Sequence, residues 1–174
     1  GLKRQPDIIS IDGGSTDSGP FYLGMGVSKY SLEVCEAEWH LLMQARHDNK
    51  IPLIIGSCGT CGVNAGVDMM FDMTVRIAKK LGHSAKIARI YCERERSEFQ
   101  IALSENRIKP LEPAPQITQE SLSKITHIVS LSGVEPIQKA IEAGADVILV
   151  GRATDTALIA ALPLLNNAHK GASW

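Results

Sequence analysis

The chain has 174 residues, of which 44% are hydrophobic and 21% are charged, which is typical of a globular protein with a substantial core. Its formal net charge of −1, without a basic stripe, gives no electrostatic reason to expect nucleic acid as a partner. No apolar run approaches the roughly 20 residues that span a bilayer, and four cysteines make no disulfide framework, so we expect a cytoplasmic protein without a membrane partner.

Strand and helix patterns alternate along the chain. Five short runs, rich in β-branched and other apolar residues, predict buried strands of a parallel sheet. These runs are residues 8–11, 52–55, 85–92, 127–131 and 146–150. Apolar residues at helical spacing between and after the runs predict six helices. The helices are expected at about residues 32–43, 64–81, 97–106, 118–124 and 134–143, with a last one opened by residues 151–156.

Local signals mark where several of these elements begin and end. Ser28 and Thr118 are the side chains that we expect to cap helix N-termini, and Gly82 should close the second helix. Residues 21–26 should be irregular, and residues 109–115 should form an extended, proline-rich connector.

The alternation predicts an α/β fold with an open, mainly parallel sheet of about five strands and helices on both faces, a Rossmann-like three-layer sandwich. A closed barrel is the main rival, because residues 142–151 are similar to late strands of phosphate-binding barrels. A chain of 174 residues is too short to close eight units, so we expect the open sheet, in one domain over residues 1–174. Residues 170–174 carry no helix stop signal, and we expect a piece of a longer protein.

Polar loops follow all five predicted strands. The carboxyl ends of parallel strands meet at one edge, so we predict that these loops share a pocket. Its candidate substrate-binding or anion-binding residues are Gly14, Ser15, Thr16, Ser57, Gly59, Thr60, Glu93, Arg152, Thr154 and Asp155. Helix N-termini suit a phosphate or carboxylate, and the Arg152 guanidinium could clamp such an anion. In the alternative interpretation, the glycines only make tight turns and the hydroxyls only cap helices.

Two carboxylates in the first loop, Asp12 and Asp17, are the candidate acid/base catalysts. Together with Glu93 and Asp155 they could also hold a divalent cation such as Mg²⁺ through oxygen ligands. Solvated or helix-capping carboxylates explain the same residues without a metal, and no ligand-spacing signature is present. We therefore predict no metal site.

Two further motifs suggest chemistry. Cys58 and Cys61 form a CxxC pair before the second helix, where a helix N-terminus can lower a thiol pKa. No second pair completes a zinc site, so we predict that both pack in a tight turn. Residues 11–16 are similar to the first phosphate loop of sugar-kinase and actin-like ATPases, which makes an ATP-dependent phosphotransferase one alternative function. That family continues into a hairpin, whereas a helix is predicted here, and neither GxGxxG nor GxxxxGK[ST] occurs.

Three segments together resemble the acyclic terpene utilisation A family: residues 12–24, 55–60 and 151–157, in the family's order. The resemblance covers essentially the whole chain and implies a role in the catabolism of acyclic terpenoids and related branched acids. We therefore expect a metabolic enzyme of lyase or hydrolase type that acts on a small carboxylate or an acyl-CoA thioester. The alternative is a non-catalytic small-molecule-binding or assembly subunit of a larger enzyme. A homo-oligomer and a partner subunit are both left open. The cofactor is not assigned: the alternatives are the CoA moiety of the substrate and Mg²⁺.

Overall fold

A computed structural model describes residues 1–166, which form an α/β fold around a four-stranded, all-parallel sheet. The strands are β1 (Ile9–Asp12), β2 (Leu53–Gly56), β3 (Ile87–Ile90) and β4 (Val147–Val150). Their order across the sheet is β1-β2-β4-β3. The two central strands, β2 and β4, are buried along their whole length.

Seven α-helices lie in the described part of the chain. They are α1 (Phe21–Met25), α2 (Leu32–Asn49), α3 (Asn64–Leu81), α4 (Arg96–Ser104), α5 (Gln119–Lys124), α6 (Glu135–Glu142) and α7 (Asp155–Leu165). Within this region, no helix combines the length and the apolar character needed to cross a membrane. The expectation for residues 170–174 lies outside the described residues.

The core has two halves, one on each face of the sheet. Side chains alternate along a strand, so Leu53 and Ile55 of β2 face α2 and α3, whereas Ile54 between them faces α6 and α7. The side chains of β4 alternate in the same way. Burial on both faces explains why these strands are continuously apolar in sequence, and each fully buried aliphatic side chain contributes about 1.5–3 kcal/mol.

The parallel α/β arrangement is confirmed, but the count of five strands is not. Residues 127–131 form no strand of the sheet and contribute only an isolated antiparallel bridge between Val129 and Glu93. The N–H of Arg94 donates to the carbonyl of Ile128 at 2.8 Å, so this apolar run pairs with the segment that leaves β3. The predicted strand therefore lies beyond the end of β3 and runs in the opposite direction.

The helix boundaries confirm two local predictions and correct two others. Gly82 has a left-handed φ of 67° and closes α3, and Thr118 caps α5 through a reciprocal capping box. The N-cap of α2 is Ser31 rather than Ser28, because the Ser31 side chain accepts the backbone N–H three residues later at 3.3 Å. Residues 21–26 were expected to be irregular, but most of them form the short helix α1.

Candidate functional site

The loops after β1, β2 and β4 meet at the carboxyl edge of the sheet. The Gly13 N–H donates to the Gly56 carbonyl at 2.8 Å, which extends the pairing of β1 with β2 into both loops. Nη1 of Arg152, after β4, lies 3.4 Å from the carbonyl oxygens of Gly14 and Thr60. One guanidinium therefore ties the three loops together.

Backbone packs directly on backbone where these loops touch. A Cβ atom placed on Gly14 would lie 2.0 Å from the Thr60 carbonyl oxygen. A Cβ atom on Gly62, whose φ is 74°, would lie 2.5 Å from the nitrogen of Arg152. Glycine is required at both positions, because the clashing atoms belong to the main chain and cannot rotate away.

The turn between β2 and α3 holds an unusual backbone. Four of its residues have positive φ: Ser57 (51°), Gly59 (66°), Thr60 (71°) and Gly62 (74°). A β-branched residue such as Thr60 rarely adopts this conformation. A tertiary contact holds Thr60 in this conformation, since the Oγ1 atom of Thr60 accepts the Lys29 N–H at 3.0 Å. Strained backbone of this kind clusters at functional sites.

A pocket of about 440 Å³ opens beside these loops, between the end of β1, α2 and the first turns of α3. This volume falls within the range of small-molecule sites. Most of its wall is apolar, and the apolar side chains are Ile11, Val34, Cys35, Trp39, Leu42, Ile55, Met69 and Met70. Its polar side chains are Asp12, Ser15, Ser28, Tyr30, Glu38 and Thr60.

The charge in the pocket is negative. Asp12 and Glu38 both line it, no lysine, arginine or histidine does, and neither carboxylate forms a salt bridge within residues 1–166. Oδ1 of Asp12 accepts the Gly14 N–H at 3.2 Å, which fixes the direction of this carboxylate. The pocket therefore offers an oriented carboxylate beside an apolar surface, a combination suited to proton transfer.

The structure divides the candidate residues from the sequence into two groups. Five of them line the pocket: Asp12, Gly14, Ser15, Gly59 and Thr60. Seven lie outside its wall: Thr16, Asp17, Ser57, Glu93, Arg152, Thr154 and Asp155. Binding or catalytic roles for all of these residues stay predictions.

Two residues of the second group, Glu93 and Thr154, form hydrogen bonds within the protein that give them structural roles. Glu93 accepts the Asn64 N–H at 2.9 Å and lies 2.6 Å from Nδ1 of His127. Burial raises the pKa of Glu93, but the hydrogen bonds from His127 and Asn64 outweigh this effect and hold its pKa below the ordinary value. Thr154 caps α7 by accepting a backbone N–H at 3.2 Å. Glu93 thereby occupies the N-terminus of α3, the position where an anion was expected.

Three polar residues of the pocket were missed in the sequence: Ser28, Tyr30 and Glu38. They precede or belong to α2, whereas the rule for parallel sheets points to loops after strands. One signal was available for Glu38. It lies three residues after Cys35 and four before Leu42, so helical spacing places a carboxylate on an apolar face of α2.

The Ser57 hydroxyl gives a stability prediction. Ser57 is completely buried, and its Oγ has no hydrogen-bond partner in the described structure. We expect Ser57→Gly to raise the free energy of unfolding by about 1 kcal/mol, because it removes an unsatisfied hydroxyl and relieves a positive φ, against the entropy cost of glycine. Urea denaturation measures the change. Ser57→Ala keeps the strained φ and should gain less, and a loss of stability in Ser57→Gly would contradict the assignment.

The cysteines differ in exposure. Cys58, Cys61 and Cys92 are buried, and Cys35 is half-buried in the pocket wall. Burial raises the pKa of the Cys58 and Cys92 thiols, and desolvation with the nearby Glu38 carboxylate raises that of Cys35. Among residues 1–166, no group of three or more His, Cys, Asp or Glu side chains could hold a metal ion.

Alkylation should follow this difference in exposure. We expect iodoacetamide to modify the native protein at one thiol, Cys35, and to reach the other three only after denaturation. Peptide mass spectrometry identifies the modified position. Modification of Cys58 or Cys92 before Cys35 would contradict the burial described here.

Comparison with known proteins gives one match. A family model described as acyclic terpene utilisation family protein AtuA matches residues 36–166, from α2 to the end of α7. No significant match was found among curated proteins or among solved structures.

Proposed function

Because the chain belongs to the acyclic terpene utilisation AtuA family, we propose that its pocket binds and transforms a small branched carboxylate or acyl-CoA thioester in the catabolism of acyclic terpenoid or branched acids. One observation supports this proposal above all: an apolar wall adjoins carboxylates and hydroxyls in a pocket of about 440 Å³. The apolar wall suits a branched hydrocarbon chain, and a few convergent polar groups suit its reacting end.

The proposed acid/base group is Asp12. A carboxylate held by the Gly14 N–H can remove a proton beside an acyl carbonyl, as in a lyase, or activate a water molecule, as in a hydrolase. The hydroxyls of Ser15 and Thr60 are the proposed hydrogen-bond donors to the acyl carbonyl oxygen. Arg152 acts as a positioning residue in this proposal, since it holds the loops that carry these groups.

A non-catalytic binding or assembly subunit is the second candidate, supported by the surface beside the pocket. Large apolar side chains are exposed along the segment from α1 to the start of α2: Phe21, Met25, Val27, Tyr30, Leu32 and Val34. Within residues 1–166, β1 pairs with a strand on its β2 side only. Exposed apolar patches and open strand edges are common contact sites for another chain. No cationic side chain in the described part of the chain lines the pocket, so no specific observation favours the phosphotransferase alternative.

A thermal-shift screen with recovery of the ligand tests the proposal. A branched acyl compound at a hundred times its Kd should raise the melting temperature by about 5–10 °C. Mass spectrometry of the incubated compound then separates the two candidates, since an enzyme consumes it and a binding subunit returns it unchanged. The absence of any shift with branched carboxylates and their thioesters would contradict the enzyme and the small-molecule-binding subunit and would leave only the assembly subunit.

A further inference from the structure

The distribution of charge around the pocket separates the two substrate classes left open above. Resting on the proposed function, we infer that the pocket takes an uncharged acyl group carried on an anionic tail, as in a CoA thioester, and rejects the free carboxylate. In this assignment Glu38 excludes the free acid, and Lys29 binds the tail at the pocket mouth.

The acidic wall of the pocket disfavours an anion. Asp12 and Glu38 both line it, and among residues 1–166 no cationic side chain is present in its wall to offset them. Both carboxylates are exposed to solvent, so their repulsion is moderate. A free carboxylate would still add a third negative charge to this wall. A thioester carbonyl has no net charge and needs only a hydrogen-bond donor, which the Thr60 hydroxyl can supply.

Lys29 provides a cation at the mouth of the same pocket. It lies between Ser28 and Tyr30, both of which line the pocket. Its backbone N–H donates to Oγ1 of Thr60 at 3.0 Å, and its Nζ donates to Oγ of Ser18 at 2.8 Å. Within the described residues, Lys29 forms no salt bridge. Its charge is therefore available to a phosphate that stays outside the pocket.

The arginines at this edge of the sheet are already engaged. Nη1 of Arg152 lies against two backbone carbonyls. Arg94, after β3, pairs with Glu98 at 2.5 Å. Among the described cationic side chains beside the pocket, Lys29 is therefore the one that we assign to the anionic tail.

Titration calorimetry with three matched probes tests this inference on the full chain. The probes are 3,7-dimethyloctanoyl-CoA, 3,7-dimethyloctanoyl-pantetheine, which is a thioester without phosphates, and free 3,7-dimethyloctanoate. We expect each probe to bind at least about tenfold more tightly than the next in this order. The step from the CoA thioester to the pantetheine thioester removes the phosphates, and the step to the free acid replaces an uncharged thioester by a carboxylate.

Two substitutions assign these differences to residues. Lys29→Met should weaken binding of the CoA thioester about tenfold and leave the pantetheine thioester unchanged, because only the former carries phosphates. Glu38→Gln should strengthen binding of the free acid about threefold and leave the pantetheine thioester unchanged. Lys79→Met, in the last turn of α3, and Glu142→Gln, at the end of α6, remove the same charges away from the pocket and should change nothing.

Two results would overturn the inference while leaving the proposed function standing: wild-type protein that binds the free acid as tightly as the pantetheine thioester, and Lys29→Met that keeps full affinity for the CoA thioester. If none of the three probes binds, the proposed function fails as well.

Discussion

Replacement of Asp12 by asparagine should lower turnover of a branched acyl substrate by about 10²–10⁴-fold, the usual contribution of a general acid or base. Asparagine retains an Oδ1 atom, so the hydrogen bond from the Gly14 N–H at 3.2 Å can persist and the loop can keep its shape. The amide cannot accept a proton, and only the chemistry should be lost. Substrate consumption followed by mass spectrometry measures the effect, and an unchanged melting temperature shows that the fold is intact.

Asp17→Asn is the matched control for this prediction. Asp17 belongs to the same loop and is exposed, but it lies outside the pocket. Its contact with Ser15 runs through its backbone N–H, which the substitution leaves in place. Turnover should therefore stay within about threefold of the wild type. Full activity in Asp12→Asn, or a loss confined to Asp17→Asn, would contradict the assignment of Asp12.

Replacement of Gly14 by alanine should lower the free energy of unfolding by about 3 kcal/mol, at the upper end of the cost of overpacking. The new Cβ would lie 2.0 Å from the Thr60 carbonyl oxygen, in the seam where the loops after β1 and β2 touch. The two loops must move apart to remove this clash. We expect the pocket wall that they form together to be disrupted as a result. Urea denaturation measures the stability, and the thermal shift with a bound acyl compound measures the pocket.

Gly24→Ala is the comparison for Gly14→Ala. Gly24 lies in α1, and a Cβ atom placed there would meet nothing within 4 Å. Because alanine is the better helix former, this variant should be as stable as the wild type or more stable by about 0.5–1 kcal/mol. Equal losses of stability in the two variants would contradict the close packing described for Gly14.

The fold could be predicted wherever the local pattern matched the final environment. The buried strands β2 and β4 are continuously apolar because helices cover both of their faces, and α3 occupies the predicted residues 64–81. Residues 127–131 show the limit of such reasoning. Their apolar pattern is that of a strand, but pairing with the segment after β3 is a tertiary event that the local sequence does not encode.

The sequence predicts the edge of the sheet at which the pocket lies, but only some of the side chains that line it. Asp12 and Thr60 were predicted to lie at this edge because they follow strands whose carboxyl ends converge, and both line the pocket. Glu93 satisfies the same rule, but its carboxylate is taken up by the N–H of Asn64 and by His127. Glu38 reaches the pocket from a helix and was missed. Tertiary contacts determine which polar side chains remain accessible to a ligand. The local sequence pattern does not predict these contacts.

A crystal structure of the protein with 3,7-dimethyloctanoyl-pantetheine tests the central claim most directly. We expect the branched chain to lie against Trp39 and Met70, with its thioester carbonyl beside Asp12 and Thr60 at the carboxyl edge of the sheet. A ligand that binds in solution but occupies another surface in the crystal, such as the groove formed by Phe99 and Arg107, would contradict the account.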